Sequence, residues 1–169
     1  MHNKSYFDEM HLSDASVRQV YANYQKWLKT IPTKQLESKR QEAEILFRRV
    51  GITFNVYGED DGVERLIPFD VIPRLLSAKE WSTLSKGSIQ RVRALNMFLD
   101  DIYHKQEIIR AGIISEEILK HSQYRPEMFN VDVPQGIYAH IAGIDIVRTS
   151  EDQFYVLEDN LRTPSGVSY

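Results

Sequence analysis

The sequence predicts an α+β fold, with N-terminal helices packed against a mainly antiparallel sheet. Three observations carry that expectation. Apolar residues recur at spacings of three and four from Ser13 to Val50 and again after Gly87. β-Branched and aromatic runs take over after Gly136. The last two of these runs are separated only by T-S-E-D-Q, a short polar stretch of the kind that closes a hairpin. The expected organisation is one domain over 1–169, helical over 13–50, mixed over 51–135 and a hairpin over 136–169.

Val17, Val20, Tyr21, Tyr24, Trp27, Leu28 and Ile31 define an amphipathic helix, with Ser13 or Asp14 as N-cap and Pro32 behind it. A second helix over 33–50 carries Leu36, Ala43, Leu46, Phe47 and Val50, with Thr33 as its cap and Gly51 as its stop. Its outer face mixes Lys34, Glu37, Lys39, Arg40, Glu42 and Glu44, as a solvated face does. The runs 52–57 and 65–69 flank the turn-rich G-E-D-D-G and read as a β-hairpin or two short strands. After Gly87 comes the longest helical stripe, Ile89, Val92, Leu95, Phe98, Leu99 and Ile102. Gln90, Arg91, Arg93 and Asn96 fall outside it and are expected on a solvated face. A short helix over 115–121 is capped by Ser115, with Glu116 and Glu117 in its first turn. Strands over 136–148 and 154–160 follow.

Composition narrows the function. Apolar residues make up 42% and charged residues 27%, the balance of a globular chain. A net charge of −3 supplies no basic field for nucleic acid or acidic lipid. The chain has no Cys, which excludes a disulfide scaffold, a thiolate metal site and a Cys nucleophile, and fits a reducing cytoplasm. Neither a signal-peptide core nor an apolar run of about 18 residues is present, so a soluble cytoplasmic protein is expected.

Asp145 is the residue that strand logic does not want. It lies between Ile144 and Ile146, where burial of an unpaired carboxylate would cost several kcal/mol, so a cation should compensate it. A hairpin turning at Ser150 and Glu151 pairs Asp145 with Val156 and puts Glu158 and Asn160 on that same face. Three oxygen donors then meet at one end of the hairpin. Mg²⁺ suits such a set, since it takes one or two carboxylates and fills its shell with substrate phosphates. The competing reading pairs Asp145 with Arg148 or another cation and leaves Glu158 and Asp159 solvated. A one-residue register shift would also turn the carboxylates to opposite faces. A metal nuclease of the Asp…Glu-x-Lys type needs Lys where the chain has Asn160. The five His residues show no zinc spacing, and no glycine-rich phosphate motif occurs.

The run G-I-D-I-V-R…F-Y-V-L-E-D-N-L-R-T-P-S-G-V-S-Y resembles the metal-binding hairpin of ATP-grasp enzymes. With G-I-T-F-N-V-Y-G, E-R-L-I-P-F-D-V-I-P-R, Q-R-V-R-A-L-N-M-F-L-D-D-I-Y and H-I-A-G-I-D-I-V-R, it is similar to the circularly permuted ATP-grasp type 2 group, related to glutathionylspermidine synthase-like proteins. The resemblance covers roughly residues 17 to 169. It implies Asp145, Glu158 and Asn160 as Mg²⁺ ligands and Arg162 as the group facing phosphate or acyl phosphate. Ser165, Gly166 and Ser168 would form a loop whose N–H groups meet substrate or oxyanion. The local alternatives are a surface ion pair for Arg162 and an ordinary turn at 164–166. The resemblance further implies Mg²⁺ and ATP as cofactors, with small-molecule carboxylate and amine substrates. It also implies that the chain is the N-terminal portion of a longer carboxylate–amine ligase and has little activity alone. Uncovered sheet edges would then favour self-association. The rival from another class is a non-catalytic interaction domain that keeps an ATP-grasp remnant.

Overall fold

Pro32 divides the first helical stretch. Helix α1 (Ala22–Thr30) ends as Ile31 turns extended, as a residue before proline tends to, and α2 (Thr33–Val50) begins beyond it. The structure, a computed structural model, describes residues 6–55, 64–164 and 167, and the chain divides into two units, Met1–Ala78 and Lys79–Ser168. Helices and two two-stranded antiparallel sheets give an α+β composition.

In the first unit, α1 starts later than the apolar spacing suggests. Asp14 Oδ1 accepts the Ser16 N–H at 2.9 Å and the Ser16 hydroxyl at 2.6 Å, closing a turn in which Ala15 has φ 63°. Asp14 therefore shapes a turn and caps no helix; a 3₁₀ turn over Gln19–Tyr21 leads into α1. Helix α2 has the predicted bounds, but Thr33 is its first helical residue and Pro32 occupies the cap position. Its stop works as expected: Gly51 takes φ 76°, and the N–H of Ile52 reaches the Phe47 carbonyl at 2.9 Å. Strands β1 (Thr53–Asn55) and β2 (Glu64–Leu66) pair antiparallel, Phe54 opposite Arg65. The turn expected at 58–62 lies outside the described residues. Tyr21 is the buried centre of this unit, 2% exposed, and its hydroxyl accepts the Leu75 N–H at 2.8 Å.

The second unit is organised by one long helix, α3 (Ala78–Tyr103). It begins well before Gly87, because A-K-E-W-S-T-L-S-K consists mostly of helix-compatible residues. Gly87 lies inside it at the usual cost of about 1 kcal/mol. Two short helices follow, α4 (Glu107–Arg110) and α5 (Glu117–His121). Glu116, and not the expected Ser115, holds the cap position of α5 and makes no side-chain cap bond; Ser115 Oγ, one residue further out, accepts the Glu117 N–H at 3.2 Å. Asp101 on α3 accepts the N–H groups of Glu107 at 2.8 Å and Ile108 at 3.0 Å, satisfying the start of α4 from outside.

The predicted strand over 136–148 begins only at Gly143. A 3₁₀ turn occupies Pro134–Gly136. Asn96 Oδ1 then accepts the N–H groups of Tyr138 at 2.7 Å and Ala139 at 3.0 Å, so these groups are spent on a helix side chain and not on a ladder. Asn96 is thus a buttress and not part of a solvated face. Beyond it lie β3 (Gly143–Ser150) and β4 (Gln153–Asn160), one antiparallel hairpin. Among the described residues of this unit only Ile102 and Ala139 are fully buried.

Two outcomes follow. Asn96→Ala leaves two backbone donors without their acceptor and should destabilise the second unit by about 2 kcal/mol or more in urea denaturation. An unchanged midpoint would mean that water replaces the amide. Hydrogen bonds from Ile108 and then Glu107 hold the Asp101 carboxyl below its ordinary pKa. A depressed carboxyl contributes stability that is full above the unfolded aspartate value of about 3.9 and fades as pH falls through the lower folded value. Asp101→Asn should therefore flatten the acid limb of thermal stability, read by circular dichroism. An acid limb as steep as wild type would contradict this.

Candidate metal centre on the β3–β4 hairpin

The hairpin closes through Glu151 and Asp152, since Ser150 pairs with Gln153. Arg148 faces Phe154, Val147 faces Tyr155 and Ile146 faces Val156. Thr149 is thus extra on β3, and further along one residue, Leu157, is extra on β4. Beyond Leu157 the pairs are Asp145–Glu158, Ile144–Asp159 and Gly143–Asn160. The expected pairing of Asp145 with Val156 is therefore corrected: Asp145 sits directly across from Glu158. Residues directly opposite share a face, so Gly143, Asp145, Glu158 and Asn160 line one side while Ile144 and Asp159 take the other. Without the bulge, Leu157 would oppose Asp145 and Glu158 would change sides.

Contacts sharpen the picture. Asn160 Nδ2 donates to Glu158 Oε1 at 3.0 Å, so the two side chains lie together. Asp145 and Glu158 are both exposed, which overturns the expectation of a buried Asp145. Asp145 does not pair with Arg148. That guanidinium is engaged by Glu80 at 2.6 Å, by the Ser150 and Glu151 carbonyls and by the Phe154 ring. Among the described residues no cationic side chain pairs with Asp145 or Glu158, although like charges directly opposite each other are destabilising.

Asp159 on the reverse face is held by Arg91 of α3. Arg91 Nε lies 2.7 and 2.8 Å from the two carboxylate oxygens, and Nη2 lies 2.7 Å from Oδ2. The hydrogen bonds from Arg91 keep the Asp159 carboxyl below its ordinary pKa. The sequence placed Arg91 on a solvated face; a guanidinium and a carboxylate far apart in sequence gave no signal of their meeting.

The chain beyond β4 turns back onto the carboxylate face. A Cβ on Gly143 would lie 2.9 Å from Pro164 Cβ and 3.5 Å from Asn160 Cβ, so glycine makes room for the 161–164 segment. Arg162 on this segment is exposed and forms no ion pair among the described residues. Ser165, Gly166 and Ser168 lie outside the described residues, so the loop they were expected to form has no geometry here.

The donors fit a hard cation. Asp145 and Glu158 supply carboxylate oxygens and Asn160 Oδ1 an amide oxygen, with no soft ligand among them. Among the described residues no group of three His, Cys, Asp or Glu side chains is placed to hold an ion. Such a set suits Mg²⁺ that shares its shell with phosphate oxygens and does not suit an all-protein cage.

Comparison with known proteins decides the family. Residues 73–169 match the family described as a circularly permuted ATPgrasp. The chain belongs to that family. Over 166 residues it is 39% identical to an uncharacterized protein of Synechocystis sp., covering 98% of this chain and 34% of that protein. An uncharacterized protein of Mycobacterium leprae is 41% identical over 164 residues, covering 96% of this chain and 28% of that protein. A Frankia casuarinae protein named "Putative glutamate–cysteine ligase 2-2" is 34% identical over 163 residues, covering 96% of this chain and 19% of that protein. This ATP-grasp chain thus spans about a third or less of the length of these relatives.

The contact at Gly143 is testable. Gly143→Ala should push the 161–164 segment off the hairpin end and cost about 1–3 kcal/mol, the scale of an overpacked contact. Amide exchange should accelerate at 143–145 and 158–160 and stay unchanged near the turn. Uniform wild-type protection would show that Pro164 yields freely.

Proposed function

We propose that this chain carries the Mg²⁺-binding hairpin of an ATP-grasp carboxylate–amine ligase and forms part of a longer active protein. One observation carries the reading: Asp145 and Glu158 directly oppose each other beside Asn160, with no cationic side chain to compensate them among the described residues. The family match and the ligase-named relatives support the reaction class. The motif resemblance supports the glutathionylspermidine synthase-like branch. The Cys-free composition supports a cytoplasmic location.

In the proposed reaction a substrate carboxylate oxygen attacks the γ-phosphorus of ATP and ADP leaves. An amine then attacks the acyl phosphate carbon, phosphate leaves, and the nitrogen gives up a proton as the amide forms. Bound Mg²⁺ would offset charge on the phosphate oxygens. Asp145, Glu158 and Asn160 would hold it. Arg162 would pair with phosphate through its planar fork, and Ser165, Gly166 and Ser168 would offer loop N–H groups to the oxyanion. The outer edges of β3 and β4 have no partner strand among the described residues, which supports further sheet, or a second copy, adding there. No helix among the described residues is long and apolar enough to cross a membrane.

Glu158→Gln tests the reading in two directions at once. Mn²⁺ affinity, measured by calorimetry, should fall about tenfold or more, a loss that even an outer-shell change can produce. The metal-free hairpin should become more stable by up to about 1 kcal/mol, because a like-charge pair is removed. Equal Mn²⁺ response in both proteins would favour the non-catalytic interaction domain. Tight Mg·ATP binding to residues 1–169 alone would contradict an incomplete nucleotide site.

A further inference from the structure

Asp159 lies between the two candidate ligands of β4, yet its side chain points the other way. Strand alternation sends Glu158 and Asn160 to the carboxylate face and Asp159 to the face where Arg91 meets it. Asp159 is well covered, at 14% exposed, and Arg91 grips it through Nε and Nη2 with three contacts of 2.7–2.8 Å. Charge-assisted, two-point contacts of this kind fix orientation as well as distance. A bulge loosens the ladder at Leu157, immediately before these residues, so this end of β4 needs anchoring from outside the ladder.

We propose that Arg91 and Asp159 form a positioning pair, in which α3 clamps the reverse face of β4 and thereby orients Glu158 and Asn160 toward Asp145. The proposal rests on the metal-site reading above. The pair touches neither metal nor substrate. It fixes the strand twist at position 159, and the two neighbouring side chains follow because their directions are set by the same backbone.

The pair has a second consequence. An unpaired guanidinium beside Glu158 would itself compensate the opposed carboxylates and compete with a metal ion. Asp159 occupies Nε and Nη2 of Arg91 and keeps that charge on the reverse face.

The test uses the full 169-residue chain and Mn²⁺ alone as the probe, with two readouts from ¹H–¹⁵N spectra. Arg91→Ala and Asp159→Asn should each accelerate amide exchange at 143–145 and 158–160 by about fivefold or more, leaving 146–156 near wild type. Each should also weaken Mn²⁺-induced broadening of the Asn160 side-chain amide. The charge reversal Arg91→Glu with Asp159→Arg should return both readouts to within about twofold of wild type, which general loss of packing would not allow. Unchanged exchange in the single variants, or a reversal that restores nothing, overturns the proposal. If wild type shows no Mn²⁺ broadening at Asn160 while Arg91→Ala still frees 158–160, the metal reading fails and the clamp stands. Variants that unfold globally would lose protection at α4 as well, and Arg91→Lys, which keeps charge without the fork, should then show the local effect alone. Wild-type exchange at 158–160 in that variant counts against the clamp.

Discussion

The extra residue at Leu157 sets which β4 side chains share a face with Asp145 at this end of the hairpin. A bulge interrupts ladder hydrogen bonding, and here it also leaves a large apolar side chain 72% exposed. What it produces is a second local penalty, two carboxylates directly across from each other. Two unfavourable features at one point of a short hairpin do not arise from optimising its stability. They make sense together if a cation completes the arrangement, since the bulge brings Glu158 to Asp145 and the ion offsets the repulsion. Asn160 and Gly143 share that face, and Asp159 is excluded from it, as direct consequences of the same register.

Helix α3 converts this hairpin into a supported structure, largely through polar ties. Glu80 holds Arg148 near the turn, Arg91 holds Asp159 at the opposite end, and Asn96 ties down the loop before β3. The spacing is physically sensible. Glu80 and Arg91 lie about 16 Å apart along the helix axis, and Arg148 and Ile144, which faces Asp159, are about 13 Å apart along the strand. The remaining difference is within the reach of the side chains. These ties matter because apolar burial is thin: Ile102 and Ala139 are the fully buried described residues of the unit, while Met97 is 73% exposed.

How much the sequence disclosed depended on how local the determining interaction is. Helix α2 was readable to its end residues because proline and glycine punctuate it and act on their immediate neighbours. The start of α3 was not, because Gly87 has two uses, stop and tolerated interior residue, and only the flanking helix formers separate them. The late start of β3 depended on Asn96, which reaches backbone some forty residues away, beyond any periodic pattern. The register of the hairpin departed from expectation at three points, the turn, an extra Thr149 on β3 and an extra Leu157 on β4. The turn and Leu157 move pairing toward later β4 residues and Thr149 moves it back by one, so Asp145 and Glu158 share a face as expected, though as direct partners and not diagonal ones. Period-two alternation contains no term for an inserted residue, so this geometry had to be seen.

The incompleteness of the donor set also bears on what it would recognise. Two carboxylates and one amide oxygen offer too few ligands for a hard divalent ion, which prefers about six. An ion held this loosely would bind well only when it brings oxygen ligands of its own, so affinities for metal and for a polyphosphate become linked. Charge points the same way. A dication neutralises Asp145 and Glu158 and leaves no net attraction for phosphate, so a further positive group is needed nearby. Arg91 is committed to Asp159 on the reverse face. Arg162 remains exposed on the segment that Gly143 admits beside Asn160, without an ion-pair partner among the described residues. If the proposed site is right, Arg91 of α3 would steady the ligands from behind while Arg162 would stay available to the anion in front.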